Sequence, residues 1–445
     1  MNAIQKKRNP WAWVPTLYFA EGLPYVAVMT VAVVMYKKLG LSNTQIALYT
    51  SWLYLPWVIK PLWSPFIDLI KTKRWWINAM QTLIAAAFAS VAFFIPTPHF
   101  VQITLAFFWL LAFASATHDI AADGFYMHGL DEQHQSLFVG IRNTFYRVAM
   151  IFGQGVLVMV AGLIESGKLF PNLGGTAEAA ASGGKIALSW SIVFYLLAGI
   201  FIALTLYHRF ILPRPESDSV RTDINARTIW RNIGVTFASF FKKPYMGLML
   251  FFLLTYRLGE SQLVKIAQPF MLDTPEAGGL ALSTAAVGGI YGTLGVIALL
   301  LGGILSGIVI SRSGFKKWIL PMALAINVPD LLYVLMAAIK VSSVPLVASC
   351  VALEQFGYGF GFTAYTMYLI YIAQGEHKTA HYAIGTAFMA AGMMFPGMVA
   401  GWISDHIGYT MFFVWACLCT IPGIIAALLV RKHIPADFGT KKGEE

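Results

Sequence analysis

Charged side chains are scarce: Asp, Glu, Lys and Arg make up 12% of the 445 residues, where a water-facing globular surface needs about 25%. That deficit excludes an ordinary soluble domain. Cysteine is nearly absent, and the three present, Cys350, Cys417 and Cys419, all lie in apolar runs. No oxidised framework is available to the chain, and no metal-ligand spacing occurs. Neither metal nor cofactor is expected. There is no Gly-x4-Gly-Lys-Ser/Thr loop and no His-Glu-x2-His pair, which excludes ATP-driven transport and zinc-protease chemistry. What the chain has is apolar residues, 58% of the total. A hydrocarbon core of about 30 Å takes roughly 20 apolar residues per helix, so there is room for about a dozen spans.

Apolar windows bounded by charge, Gly or Pro fall near 11–36, 44–66, 75–95, 100–127, 137–164, 186–208, 245–271, 283–310, 318–339, 343–373, 379–403 and 409–430. The first window follows Lys6, Lys7 and Arg8. It is too long for the apolar core of a signal peptide and lacks a small-residue cleavage site, so it reads as an uncleaved helix. The formal charge of +10 raises the question of a nucleic-acid partner. Its distribution answers in favour of topology. With the N-terminus inside, cytoplasmic segments hold 21 of the 31 Lys and Arg, against five in the outer loops and five within spans. The positive-inside rule then puts both termini in the cytoplasm, with lipid and not nucleic acid as the macromolecular environment.

Between the sixth and seventh windows the chain turns polar and basic, dividing it into an N-terminal bundle (1–209), a linker (210–244), a C-terminal bundle (245–432) and a tail (433–445). Internal similarity supports the division. Ser64-x3-Asp68-x4-Lys73-Arg74-Trp75 recurs 243 residues later as Gly307-x3-Ser311-Arg312-x-Gly314-x-Lys316-Lys317-Trp318, and a partial third copy runs Gly401-x3-Asp405-His406-x-Gly408. The expected fold is an all-α membrane protein of twelve transmembrane helices in two pseudo-symmetric six-helix bundles. Repeated halves of this kind are built for alternating access.

Ionisable groups at membrane depth cost about 2.5–3.5 kcal/mol each on insertion scales, so they pair or line a cavity. Arg257 and Glu260 are three residues apart and share a helix face. Asp119 and Asp123 stack at i and i+4, where like charges repel, and Arg142 and Arg147 enter the next span at matching depth. A four-member cluster of these two acids and two arginines is the expected compensation, either coordinating an anion or serving a structural role. His118 adjoins it and titrates near neutral pH when unperturbed; the alternative is a hydrogen-bonded wall residue. Tyr25, Tyr126, Tyr256 and Tyr358 offer faces for stacking on a sugar.

The twice-repeated loop, together with Phe19-Ala-Glu-Gly-Leu-Pro24, Lys60-Pro-Leu-Trp-Ser-Pro65, His118-Asp-Ile-Ala-Ala-Asp-Gly124 and Tyr256-Arg-Leu-Gly-Glu260, resembles the major facilitator superfamily, and within it the muropeptide permease branch. Ser64, Lys71 and Ser311 depart from the loop's usual residues. The resemblance implies a monomeric, non-enzymatic permease of the bacterial inner membrane that couples protons to import of cell-wall degradation products. It implies a cavity lined by spans one, four, seven and ten, which selects Glu21, Asp119, Arg257, Glu260 and Glu354. It also implies cytoplasmic gating loops containing Asp68, Lys73, Arg74, Arg312, Lys316 and Asp405. Rival readings are a transporter of another polar or anionic solute, such as an acyl-CoA, a sugar or a siderophore, a membrane-embedded acyltransferase using His118 and Asp119, and a non-transporting sensor.

Overall fold

The computed structural model describes residues 8–130, 132–171, 184–215, 218, 226–375 and 378–440, and all regular structure among them is helical. Span one is Pro10–Lys38; span two is Asn43–Trp52 followed by Leu55–Ile70; span three is Lys73–Phe94; span four is Phe100–Gly129. Span five begins as Glu132–Met150 and ends as Val158–Glu165, and span six is Gly184–Ile211. Span seven is Met246–Thr255 followed by Leu258–Leu272; spans eight, nine and ten are Thr284–Ser313, Phe315–Ala338 and Val344–Ala373. Spans eleven and twelve lie within Ala380–Arg431 and are two helices divided by a kink at Gly408, whose φ of 74° is open to glycine and strained for other residues. Eight of these stretches are long and apolar enough to cross a membrane, nine counting span seven.

Packing groups the helices into two compact units, and the grouping cuts across the sequence halves. Residues 1–31 and 62–231 form the first; residues 32–61 and 232–445 form the second. The second part of span one and the start of span two therefore pack with the C-terminal helices. Polar contacts at that end of the second unit explain their capture. Lys37 Nζ lies 2.7 Å from Asp273 Oδ2 and donates to Asn43 Oδ1 at 2.8 Å. Asn43 donates to the Tyr409 hydroxyl at 2.9 Å, and that hydroxyl donates to Asp273. Asp405 Oδ2 accepts from the backbone N–H and the hydroxyl of Thr44 at 2.8 and 2.6 Å. It thereby caps the first turn of span two, where a carboxylate is favoured by the exposed amides and the helix dipole.

Asp405 consequently does not belong with the gating loops assigned from the repeat. It sits where span eleven ends, among Lys37, Asp273 and Thr44, whereas Arg312 and Lys316 lie between spans eight and nine at the opposite end of the same unit. The motif's acid has kept its capping chemistry and changed ends. The side chain of Asp68 lies outside the described residues.

The linker holds a helix of its own, Ala226–Phe241. Its later part meets span seven at a bend of 95°, and buried Phe240 joins the core made by Phe252, Tyr256, Tyr365 and Tyr368. In that unit spans eight and ten cross backbone to backbone. A Cβ on Gly359 would stand 1.9 Å from the Leu299 carbonyl oxygen, and one on Gly302 would stand 2.1 Å from that of Phe356. Gly359→Ala is expected to cost about 1–3 kcal/mol, the usual penalty of overpacking. Its unfolding temperature in detergent should fall well below that of Gly199→Ala, whose new methyl would meet nothing within 4 Å; equal temperatures would contradict the crossing.

Candidate functional site

In the first unit the charges collect around span one. Span one is broken in its hydrogen bonding by Pro24, which lacks an N–H, and a π-helical stretch follows over Ala27–Val31. Gly22 lets span five come close: a Cβ there would stand 2.9 Å from the Tyr146 carbonyl oxygen. Glu21, the neighbour of Gly22, meets Asp119 and Asp123 of span four. One carboxylate oxygen from each of the three lies within 4.8 Å of the other two. On the other side, Arg142 Nη1 is 3.3 Å from Asp123 Oδ1 and donates to the Tyr18 hydroxyl at 3.1 Å, while Tyr18 donates to the same Asp123 oxygen at 3.0 Å. The guanidinium carbon lies over the rings of Tyr18 and Tyr126, 4.8 and 5.2 Å from their centroids. Such placement combines charge pairing with cation–π attraction. Lys73 is buried across Gly124: its Nζ lies 3.2 Å from where a Gly124 Cβ would stand. Glycine after Asp123 is what makes room for it.

The expected four-member cluster therefore has a different fourth member. Glu21 joins Asp119, Asp123 and Arg142, while Arg147 points to the Met150 sulfur at 3.5 Å and makes no ion pair among the described residues. Spacing along span five places both arginines at similar depth but does not fix their direction. They are five residues apart, about 140° around an ideal helix, so they cannot face the same neighbour. Tyr25 is half-buried one turn beyond Glu21.

His118 is drawn into a separate network. Its Nε2 lies 2.9 Å from the Gln81 amide, which also meets His208 Nδ1 at 2.9 Å, and His208 Nε2 lies 3.0 Å from the Thr16 hydroxyl. His118, Gln81 and His208 are fully or almost fully buried. This chain ties spans one, three, four and six together and gives His118 the wall position. Gln81 and His208 carry no motif, and sequence reasoning passed over both.

The second unit repeats the theme at span seven. The helix breaks after Thr255, Arg257 takes a non-helical backbone, and Glu260 falls in the first turn of Leu258–Leu272. Arg257 Nε and Nη2 donate to the two Glu260 oxygens at 2.7 and 3.1 Å, and Nη2 also donates to the Tyr358 hydroxyl at 2.9 Å. The guanidinium lies over the Phe362 and Tyr358 rings at 4.9 and 5.5 Å. A bidentate fork, a helix N-terminus behind the acid and two ring faces hold this pair.

Glu354 is buried beside Gln355, whose amide approaches Glu354 Oε2 at 3.0 Å, with the Tyr333 hydroxyl at 3.5 Å. Asp330 is fully buried, and neither of its carboxyl oxygens meets a hydrogen-bond partner among the described residues. Lys265 donates to the Thr50 hydroxyl at 2.9 Å and lies 5.1 Å above the Tyr54 ring. Tyr256 is corrected from a cavity wall to a core residue: it is fully buried among Phe252 and Tyr365, and its hydroxyl donates to the Gly361 carbonyl at 2.9 Å. A ring satisfied on every side has no face left for a sugar.

Apolar helices long enough to cross a membrane, carrying charged groups inside the helix packing, define a multi-pass membrane protein. The Major Facilitator Superfamily profile matches residues 16–306, and the chain belongs to that family; it is a permease, not an enzyme. It is 23% identical over 430 residues to the anhydromuropeptide permease of Escherichia coli K12, covering 94% of this chain and 79% of the permease. Among solved structures it is similar to the nucleoside transporter NupG (D323A mutant), with a TM-score of 0.68, 14% identity, and coverage of 95% of this chain and 99% of that one. It is also similar to a D-xylose-proton symporter, with a TM-score of 0.64, 14% identity, and coverage of 97% and 99%.

Removing one partner of a buried ion pair leaves an uncompensated charge, at a cost of about 3–5 kcal/mol. Arg257→Gln and Glu260→Gln should each destabilise on that scale. The double variant should lose much less than their sum, as read by a double-mutant cycle of unfolding in detergent. Additive losses would contradict the pair.

Proposed function

We propose that this protein is a proton-coupled importer of the bacterial inner membrane, moving anhydromuropeptides or related amino sugars into the cytoplasm by alternating access as a monomer. The observation that carries the solute class is similarity to the anhydromuropeptide permease along 94% of this chain. The chemistry of the first unit supports it. An amino sugar bearing lactyl and peptide carboxylates needs a cation held rigidly beside flat apolar surfaces. Arg142 between Tyr18 and Tyr126 supplies both.

Both termini are proposed to be cytoplasmic, with residues 1–209 and 245–432 as the moving halves. The Lys37, Asp273, Asn43, Tyr409 and Thr44, Asp405 contacts then form a periplasmic latch, which releases when solute enters from outside. Glu21, Asp119 and Asp123 are the proposed proton carriers, because three carboxylates this close gain most from sharing a proton.

Proteoliposomes containing the full chain test the reading. Labelled anhydromuropeptide should accumulate under an inward proton gradient and stop doing so when the gradient is collapsed. No accumulation of this solute, with accumulation of a sugar, acyl-CoA or siderophore from a small panel, overturns the solute class. Glu21→Gln should abolish gradient-driven accumulation yet retain solute exchange between loaded vesicles, whereas Arg142→Gln should weaken both by about tenfold or more, the worth of one charge-assisted hydrogen bond. Undiminished accumulation by Glu21→Gln removes that acid from coupling.

A further inference from the structure

The first unit has a second cationic feature, separate from the Arg142 cluster. A cavity of about 1250 Å³ opens where the N-terminal arm, the start of span three, the turn between spans four and five and the end of span six converge. Arg8, Arg74, Arg209, Arg214, His128 and His134 line it, and no carboxylate stands among its described lining residues. Four guanidinium groups around one concavity exceed what a topological signal requires, since the positive-inside rule asks for number and not convergence.

The site is also built. Arg74 Nε donates to the Leu212 carbonyl at 3.3 Å and Nη2 donates to that of Arg209, fixing the end of span six against the start of span three. Among the described residues beside it, Asp218 is already committed. Its two oxygens accept from the backbone N–H groups of Lys73 and Arg74 at 2.7 and 3.0 Å. Arg209 and Arg214 are exposed.

One wall is apolar. Phe210, which lines the cavity, is 73% exposed, and Trp11 and Trp75, each next to a lining residue, are 60% and 47% exposed. Large aromatics left open beside a basic pocket mark the level at which lipid headgroups meet acyl chains. The volume is far beyond a single phosphate and suits a bulky headgroup.

We propose that this cavity holds the phosphate-bearing headgroup of an anionic glycerophospholipid, with the acyl chains leaving past Phe210. Its occupant is a structural or regulatory lipid, distinct from the transported solute. The orientation proposed above enters only in naming the cytoplasmic leaflet as its source.

The test uses the purified full chain in neutral detergent and reads unfolding temperature together with lipid retained in native mass spectra. Cardiolipin or phosphatidylglycerol should raise the wild-type unfolding temperature and remain bound, while phosphatidylcholine and inorganic phosphate should do neither. The double variant R209Q/R214Q, which leaves the backbone-holding Arg74 in place, should bind cardiolipin roughly tenfold or more weakly, the scale of two lost surface arginines. R209K/R214K should keep most of the binding. Equal stabilisation by phosphatidylcholine, a full effect from inorganic phosphate, or undiminished binding by R209Q/R214Q would overturn the proposal. The wild-type lipid comparison decides even if that variant does not fold, and because no step reads transport, its failure is distinct from failure of the solute assignment.

Discussion

In each unit an arginine is set against two aromatic rings with a carboxylate and a tyrosine hydroxyl on its donors, and the fold must supply all of these partners at once. Arg142 has Tyr18, Tyr126 and Asp123; Arg257 has Tyr358, Phe362 and Glu260. A guanidinium removed from water recovers its hydration only where geometry, charge and ring faces coincide. The two versions differ in wetness. Arg142 and Asp123 keep 28% and 39% of their side-chain surface, whereas Arg257 and Glu260 keep 10% and 5%. The first pair is therefore the less desolvated of the two. The second is closed by a bidentate fork beside the break in span seven.

Those breaks give the clusters their reach. At the break in span seven Arg257 itself takes a non-helical backbone, and its guanidinium meets Glu260 and Tyr358 together. Span two is interrupted after Trp52, so that Tyr54 lies beneath Lys265. Spans one, five and eight each carry a π-helical stretch, an irregularity often placed at functional sites. Interrupted spans beside charged groups are the arrangement expected of a transporter whose irregular backbone lines a pathway.

Local spacing made part of this legible. Arg257 with Glu260, and Asp119 with Asp123, are short-range relations that the helical repeat fixes before any packing is known. Membership of the fold was legible too, because apolar windows and a repeat 243 residues apart survive as composition and pattern. What escaped depends on how helices meet. Glu21 meets the acids of span four through the packing of spans one and four, which no spacing along the chain encodes. His208 and Gln81 complete a network across four spans with no signature in the chain. Asp405 was misassigned because similarity of motif was taken for equivalence of end, although its capping role is what that motif's acid is suited to. Packing of residues 32–61 with the second unit is likewise invisible to a division based on the linker.

Whether the three-acid cluster beside Arg142 shares its protons with a bound solute is most directly measured as heat. Calorimetric titration of anhydromuropeptide into the purified protein, in two buffers of equal pH and different protonation enthalpy, separates proton transfer from binding. The predicted result is a binding enthalpy that depends on the buffer in wild type and loses that dependence in Glu21→Gln. Solute binding with the same enthalpy in both buffers would contradict a cluster that exchanges protons as it exchanges solute.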